Sequence, residues 1–336
     1  MILTKHIKQV LTTVLFTLLG VALMVWIYRG FDFSPLGKVF AAGGNYLWIV
    51  LSLLVGIAAN IFRSLRWRML LAGAGIPIKR RRAIELVFIS YLINSITPRL
   101  GELTRSLLVR RGDVALSAKA FGTVVIEKLA DVACLLGVVV LSVVLRWEDT
   151  VQLVERSAAK MTSDVSSALL YLILGIIFLL ALFFVWSKVD KLRLLLHNLW
   201  EGVLAILHLE RPWGFVGLCI AIWICNFLQL YLLVPCFEEM ATLDVVDAFY
   251  LFAAASIGVL LPTPGGAGPW HFAIVKTLTS VFAVNGTVAK LFALVSHGLK
   301  TALVMLLGLL AYLTFYWEIW YKAKQRRREK QHRLKS

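Results

Sequence analysis

Residues 262–269 read Pro-Thr-Pro-Gly-Gly-Ala-Gly-Pro, and they interrupt an apolar run that covers residues 248–284. Proline and glycine at membrane depth break the ladder of backbone hydrogen bonds, which is tolerated only inside protein or beside a wet cavity. A second run, Ala83–Pro98, is too short to span a bilayer and leads into the polar sequence Arg99-Leu-Gly-Glu. We therefore predict two re-entrant helical hairpins, over about residues 83–111 and 248–284.

The composition indicates a membrane protein. Of the 336 residues, 60% are hydrophobic and 16% are charged, and the mean hydropathy is +0.83. These values exclude a soluble enzyme, a secreted disulfide module and a disordered regulator. At roughly 20 residues per pass, the length accommodates about six to eight membrane segments. The apolar runs long enough to span a bilayer are Val10–Tyr28, Asn45–Phe62, Phe121–Leu145, Leu169–Ser187, Trp213–Pro235 and Ala289–Trp317.

The basic residues are unevenly distributed, and this asymmetry predicts the orientation. Residues 63–82 hold seven basic residues and no acid, whereas residues 238–247 hold four acids and no base. Because basic segments stay on the cytoplasmic side, we predict a multi-pass protein of the plasma (inner) membrane with both termini in the cytoplasm. Arg63 and Arg66 are expected to extend their side chains to the interface. The basic tail, residues 322–336, is expected to contact anionic lipid rather than nucleic acid.

The order of segments repeats with opposite orientation. Residues 1–168 contain two passes, a hairpin that enters from the inside and a further pass. Residues 169–321 repeat this order from the outside, and the basic tail follows. We predict an all-α polytopic membrane protein with six full transmembrane helices and two re-entrant helical hairpins in an inverted-topology repeat. Transporters of this build place their site near the midplane, between broken helices.

The turn of the first hairpin combines features that favour an anion. Arg99 lies at the predicted tip beside Gly101, and Glu102 and Arg105 share one helix face because they are three residues apart. A helix that begins near Glu102 directs free backbone N–H groups at the tip, and arginine binds phosphate through two parallel hydrogen bonds. A lipid phosphate fits this cluster. In the alternative interpretation, Glu102 pairs with an arginine and the cluster only holds the hairpin closed.

Charged residues also lie on the pass after each hairpin, where an unpaired charge is costly. Glu127 and Asp131 are four residues apart on one face, and Asp131 is predicted roughly 16 Å from the membrane surface. Lys300 is at a similar depth from the opposite side, so we expect it to interact with Asp131. Alternatively, Lys300 contacts lipid phosphate while Asp131 pairs with Lys128 or Arg105.

The second hairpin turn is rich in glycine, which permits close backbone approach and positive φ. The three positions are Gly265, Gly266 and Gly268. Pro269 suits the first turn of a helix that would begin there. His271 and His297 can approach each other in space, but two histidines without a third ligand do not make a metal site. We expect no metal and no cofactor, and the absence of hydrolase, metalloprotease and P-loop motifs argues against an enzyme.

Three motifs, in this order, resemble the transmembrane region of lysylphosphatidylglycerol synthase. They are Asn94…Pro98-Arg-Leu-Gly-Glu-Leu-Thr-Arg105, Glu127-Lys-Leu-Ala-Asp131 and Leu261-Pro-Thr-Pro-Gly-Gly-Ala-Gly268. The resemblance covers nearly the whole chain and implies lipid translocation, which in the synthases carries an aminoacylated phosphatidylglycerol to the outer leaflet. By motif match, the implied functional positions are Arg99, Gly101, Glu102, Arg105, Glu127, Asp131, Gly265, Gly266 and Gly268.

The sequence departs from the family pattern in two respects. Many members carry a glutamate after the glycine-rich motif, where this chain has His271. No aminoacyl-transferase domain is evident, so lysyl transfer is not expected of this polypeptide.

The sequence therefore favours a flippase or transporter that moves an anionic phospholipid or lipid-linked precursor between leaflets, with His271 and Lys300 among the substrate contacts. One alternative is a non-transporting membrane partner of a separate synthetase. The other is an intramembrane lipid-modifying enzyme that uses Glu102, Glu127 or His271 as acid or base.

Overall fold

The computed structural model describes most of the predicted membrane region. The described residues are 20–34, 45–97, 100–109, 113–148, 204–261 and 263–333, together with positions 18, 37, 151, 197 and 200. The predicted pass Leu169–Ser187 lies outside them, as do Arg99 and most of the pass Val10–Tyr28. Every regular element in the described ranges is helical.

The helices follow one another through short turns. In the first half they are α1 (residues 20–28), α2 (Asn45–Gly73), α3 (Arg80–Ile96), α4 (Leu100–Val109) and α5 (Val114–Leu145). In the second half they are α6 (Pro212–Tyr231), α7 (Val245–Gly258), α8 (Pro269–Ser280) and α9 (Gly286–Arg333). Single 3₁₀ turns are formed by Leu204–His208, Val234–Cys236, Glu238–Met240 and Pro264–Gly266.

Four described helices are long and apolar enough to cross a bilayer. They are the segments Tyr46–Gly73, Val114–Leu145, Pro212–Cys236 and Gly286–Tyr321. Each contains or overlaps one of the predicted passes, so the protein is a multi-pass α-helical membrane protein. The segment Val245–Gly258 is apolar but shorter.

Helix α2 is longer than the predicted pass Asn45–Phe62. It continues without a break to Gly73, because arginine, leucine and tryptophan sustain a helix and no glycine or proline interrupts residues 57–72. Arg63 and Arg66 therefore lie within the helix, and the side chain of Arg66 is fully buried. The expectation that both arginines reach the interface is wrong for Arg66, whose partners lie inside the protein.

Local sequence signals explain where several helices begin. Asp113 caps α5, since its side chain accepts a hydrogen bond from the backbone N–H of Leu116 at 3.0 Å. Asp244 and Asp247 form a reciprocal capping box at the start of α7. Pro269 occupies the first turn of α8, where a missing N–H costs no hydrogen bond.

The two short helix pairs, α3–α4 and α7–α8, each fold back on themselves. In the first, Gly101 lies so close to α3 that an added Cβ would collide with the carbonyl oxygen of Ser90. In the second, the predicted positive φ values are present: 60° at Gly265, 79° at Gly266 and 87° at Gly268. Glycine alone adopts these angles without steric cost.

Helices of the first half pack against helices of the second. Helix α2 lies against α6, α3 against α9, and α7 against α5. The turn of the second pair, Pro264–Gly266, contacts α3, and a Cβ built on Gly265 would lie 3.9 Å from the Cα atom of Ser95. The turns of the two helix pairs therefore meet inside the protein.

Candidate functional site

A buried ion network connects α2, α4 and α5. Asp131 on α5 binds two arginines of α2, because its Oδ2 lies 2.8 Å from Nη1 of Arg63 and its Oδ1 lies 2.8 Å from Nη2 of Arg66. The arginines are three residues apart, so they project from the same face of α2. The carboxylate is thereby shared between two guanidinium groups, each using a separate oxygen.

Glu127 forms the inner part of this network. Its Oε2 accepts a hydrogen bond from Nη2 of Arg105 at 2.9 Å, and its Oε1 lies 3.7 Å from Nη2 of Arg66. The exposed fractions of the Glu127, Arg66 and Arg105 side chains are 1%, 0% and 3%. Removing one partner of such a pair leaves an uncompensated buried charge, which is far more costly than losing a surface pair.

Trp67 fixes the position of Arg105. The guanidinium carbon of Arg105 lies 4.5 Å from the centre of the indole ring, in a cation–π contact. The indole Nε1 donates a hydrogen bond to Oγ1 of Thr123 at 3.0 Å, which ties α2 to α5. Trp67 is fully buried, so this contact is shielded from solvent.

Glu102 joins the first hairpin turn to α5. Its Oε1 lies 3.0 Å from Nζ of Lys128, and its Oε2 accepts a hydrogen bond from Nδ2 of Asn94 at 3.0 Å. The Oδ1 atom of Asn94 in turn accepts a hydrogen bond from the backbone N–H of Gly101 at 2.7 Å. Asn94 therefore replaces a backbone partner at the turn, and the ion pair of Glu102 is with a lysine rather than with an arginine.

The predicted partners of Asp131 are wrong. Asp131 pairs with Arg63 and Arg66, and neither Lys300 nor the alternative partners Lys128 and Arg105 provide its ion pair. The physical reason is the length of α2, which carries its arginines past the interface and beside α5. Lys300 forms no ion pair with any residue that the structure describes.

The network has more positive than negative groups. Four cations, Arg63, Arg66, Arg105 and Lys128, face three carboxylates, Glu102, Glu127 and Asp131. One positive charge is therefore in excess. In addition, the buried Nε atoms of Arg66 and Arg105 have no hydrogen-bond partner among the described residues. Such a site attracts an anion, and its arginines can bind phosphate or carboxylate oxygens in pairs.

The second hairpin turn is lined by histidine instead of acids. The Nε2 atom of His297 lies 3.0 Å from the carbonyl oxygen of Gly265. Because a carbonyl only accepts, His297 donates from Nε2, and its Nδ1 faces the hydroxyl of Thr301 at 3.5 Å. The rings of His271 and His297 are 4.8 Å apart between centres, which confirms that they approach each other.

His271 is the more deeply buried of the two histidines. Its exposed fraction is 2%, and its Nδ1 has no hydrogen-bond partner in the part of the chain that is described. The ring lies edge-on to Tyr28, with 5.8 Å between centres. The structure thus places His271 in the wall of the second hairpin turn. No group of three or more His, Cys, Asp or Glu side chains among the described residues is arranged to hold a metal ion.

The first helix covers the glycine-rich turn. A Cβ built on Gly268 would lie 2.8 Å from the carbonyl oxygen of Gly20 and 3.1 Å from the Cβ of Leu23. The backbone of α1 therefore touches the backbone of the turn. Gly265, Gly266 and Gly268 serve close packing between three elements, namely α1, the end of α3 and α9.

The fold and the network define a class: a polytopic α-helical membrane protein with paired charges buried among its helices. The chain belongs to the family described as the lysylphosphatidylglycerol synthase TM region, whose model matches residues 10–308. This confirms the resemblance of the three motifs and indicates a role in lipid metabolism or transport. No curated protein and no solved structure matches the chain in the two other comparisons.

Proposed function

We propose that the protein is a lipid flippase or transporter that moves an anionic phospholipid or lipid-linked precursor between the leaflets. The observation that carries the proposal is the buried network with excess positive charge, adjacent to the point where the two hairpin turns meet. Family membership supports a membrane role with lipids. The substrate contacts that we propose are Arg99, Gly101, Glu102, Arg105, Glu127, Asp131, Gly265, Gly266, Gly268, His271 and Lys300.

The carboxylates in this proposal hold the arginines ready for the substrate. An isolated buried arginine is costly in a membrane, so Glu127 and Asp131 neutralise Arg63, Arg66 and Arg105 while the site is empty. A phosphate group competes for the same guanidinium nitrogens, because it offers oxygens with the same paired geometry. The acyl chains remain in the lipid while the headgroup passes the network.

We also propose the full architecture of six passes and two re-entrant hairpins in an inverted repeat. The observed contacts support it, because each is matched when the halves are exchanged. The pair α3–α9 corresponds to α7–α5, the pair α3–α4 to α7–α8, and α2–α6 to itself. In this architecture both termini lie in the cytoplasm of a cell with a plasma (inner) membrane.

Cysteine labelling tests the architecture. In a background without native cysteines, single cysteines are placed at Ala115, Thr242 and Thr287. The first of these sites is exposed at the start of α5, and the other two are exposed before α7 and at the start of α9. We expect labelling of position 115 from the cytoplasm and of positions 242 and 287 from outside. Labelling of 242 and 287 from opposite sides would mean that the second hairpin spans the membrane.

Transport is tested in liposomes that contain fluorescent phosphatidylglycerol or fluorescent phosphatidylcholine. Dithionite bleaches only the label on the outer leaflet, so movement across the membrane makes further label accessible. We expect the wild-type protein to accelerate the loss of phosphatidylglycerol fluorescence more than that of phosphatidylcholine. Arg99→Ala should abolish most of this activity, and Arg99→Lys should retain an intermediate rate because it keeps charge but loses the planar fork.

The same preparation separates the alternatives. Arg80→Ala is the control, since Arg80 is exposed at the start of α3 and is not part of the network. A chemically altered lipid recovered from the liposomes would support an intramembrane enzyme. Co-purification with a synthetase, and no movement of any lipid, would support the non-transporting partner.

A further inference from the structure

A groove lies on the face of the protein where α3 begins beside α9. Its volume is about 520 Å³, and it is lined by Arg81, Leu313, Thr314, Trp317, Glu318 and Tyr321. It is separate from the ion network, whose residues lie on α2, α4 and α5. An ion pair between Nη2 of Arg82 and Oε2 of Glu318, 3.1 Å apart, holds the two helices together at this level.

The acids near the groove are already engaged by neighbouring arginines. Arg82 contacts both Glu318 and Glu85, and Nε of Arg81 lies 2.7 Å from Oε1 of Glu85. Among the described residues, the terminal nitrogens Nη1 and Nη2 of Arg81 have no ion-pair or hydrogen-bond partner. The Arg81 side chain is 71% exposed. It therefore offers two parallel N–H donors to a phosphate group.

The wall of the groove is aromatic at one level and aliphatic below it. Trp317 and Tyr321 are 67% and 51% exposed, and such side chains favour the headgroup level of a bilayer. The exposed residues Leu306, Leu310 and Leu313 continue from Trp317 along one face of α9, at spacings of three and four residues. An acyl chain can lie along this stripe while its headgroup occupies the groove.

The charge around the groove selects the occupant. Residues 79–82 are four consecutive basic residues, and they lie directly at the headgroup level marked by the aromatic side chains. Basic segments at this level attract anionic lipid heads. We propose that the groove is a binding site for an anionic phospholipid of the surrounding leaflet, with Arg81 bound to the phosphate and Trp317 and Tyr321 beside the headgroup.

This inference goes beyond the transport proposal, since the bound lipid need not be transported. The proposed site differs from a diffuse basic surface in one measurable respect. A diffuse surface depends on the number of charges, whereas the groove depends on which arginine is removed. Arg80 and Arg81 are adjacent and carry the same charge, but only Arg81 lines the groove. The chain thus supplies its own matched control.

Native mass spectrometry tests the site. The purified full chain is equilibrated with micelles that contain equal amounts of phosphatidylglycerol and phosphatidylcholine, and the lipids retained per protein are counted. We expect Arg81→Ala to retain one phosphatidylglycerol fewer than the wild type, and Arg80→Ala to retain the same number as the wild type. Trp317→Leu should lower the occupancy of that lipid about tenfold, because an interfacial aromatic contact is lost. Thermal unfolding should be unchanged in all three variants.

Three outcomes would overturn the inference. Equal losses in Arg80→Ala and Arg81→Ala would indicate a diffuse surface, and wild-type retention by Arg81→Ala would exclude the groove. Displacement of the lipid by free glycerol phosphate at the same concentration would show that the acyl chain contributes nothing. The transport proposal is judged separately in liposomes, so Arg81→Ala can lose its lipid while the movement of phosphatidylglycerol remains normal.

Discussion

The two hairpins have the same shape but different chemistry. The first brings Asn94, Glu102 and Arg105 to a network of ion pairs, whereas the second consists of glycines and histidines and has no acid between residues 248 and 280. In the first, electrostatic pairs fix the position of the helices. In the second, backbone contacts do so. The comparison indicates that one half supplies charge to the site and the other supplies close packing.

At their outer ends the two hairpins are fastened in the same way. The third residue of α3, Arg82, pairs with Glu318 at the far end of α9, and the third residue of α7, Asp247, pairs with Arg146 at the end of α5. Each arginine also contacts a phenylalanine ring, Phe315 in the first case and Phe282 in the second. The polarity of the pairs is reversed, yet each pair connects one half of the chain to the other.

The largest expected effect is on the first hairpin. Glu127→Ala leaves Arg105 without its ion pair and should lower the free energy of unfolding by about 3–5 kcal/mol. At the second turn, Thr301→Ala should cost less than about 1 kcal/mol, because its contact with His297 is long. Denaturant unfolding of the purified protein in mild detergent measures both. Glu239→Ala removes an exposed acid and serves as the control; equal losses for Glu127→Ala and Thr301→Ala would contradict the comparison.

The second effect concerns the turn of the first hairpin. Gly101→Ala should destabilise the protein by about 1–3 kcal/mol, because the new Cβ collides with the backbone of Ser90 and forces α3 and α4 apart. Gly217→Ala is the control, since a Cβ there meets no atom within 4 Å. The measurement is again unfolding in detergent. Similar stabilities of the two variants would show that the hairpin turn relaxes without cost.

A smaller effect is expected at the glycine-rich turn. Gly265→Ala should cost about 1–2 kcal/mol, because φ is positive while the surrounding space is nearly open. Gly265→Asn should recover part of this loss, since asparagine tolerates a positive φ better than alanine does. If the two variants are equally unstable, steric contact with α3 rather than backbone strain determines the cost at this position.

The smallest effect is the coupling between Asp131 and Lys300. Because Asp131 binds Arg63 and Arg66, the losses of stability in Asp131→Asn and Lys300→Met should add to within about 0.5 kcal/mol in the double variant. A double-mutant cycle by thermal unfolding measures the coupling. Recovery of stability in the double variant would restore the pair that the depth of the two residues predicts.

The sequence predicted the parts of the molecule that local rules determine. Apolar runs identified the four described passes, and the spacing of Pro262–Pro269 identified a turn with positive φ. The partner of Asp131 was not predicted, because pairing depends on how far α2 extends beyond Phe62. The spacing of Arg63 and Arg66 on one face of an uninterrupted helix was the signal that pointed to them. Asn94 was quoted within a motif, but its role at Gly101 depends on tertiary contacts.

The ion network has a consequence for biogenesis. Arg66 and Asp131 are 65 residues apart in the chain, and Arg63 and Asp131 are 68 apart. During synthesis, α2 reaches the membrane before α5 exists, so its two arginines have no carboxylate and face the cost of an unpaired charge in lipid. Helix α2 therefore settles fully only after Glu127 and Asp131 have been inserted. One of the earliest helices to be made is thus among the last to reach its final depth, and assembly of the first half waits for α5.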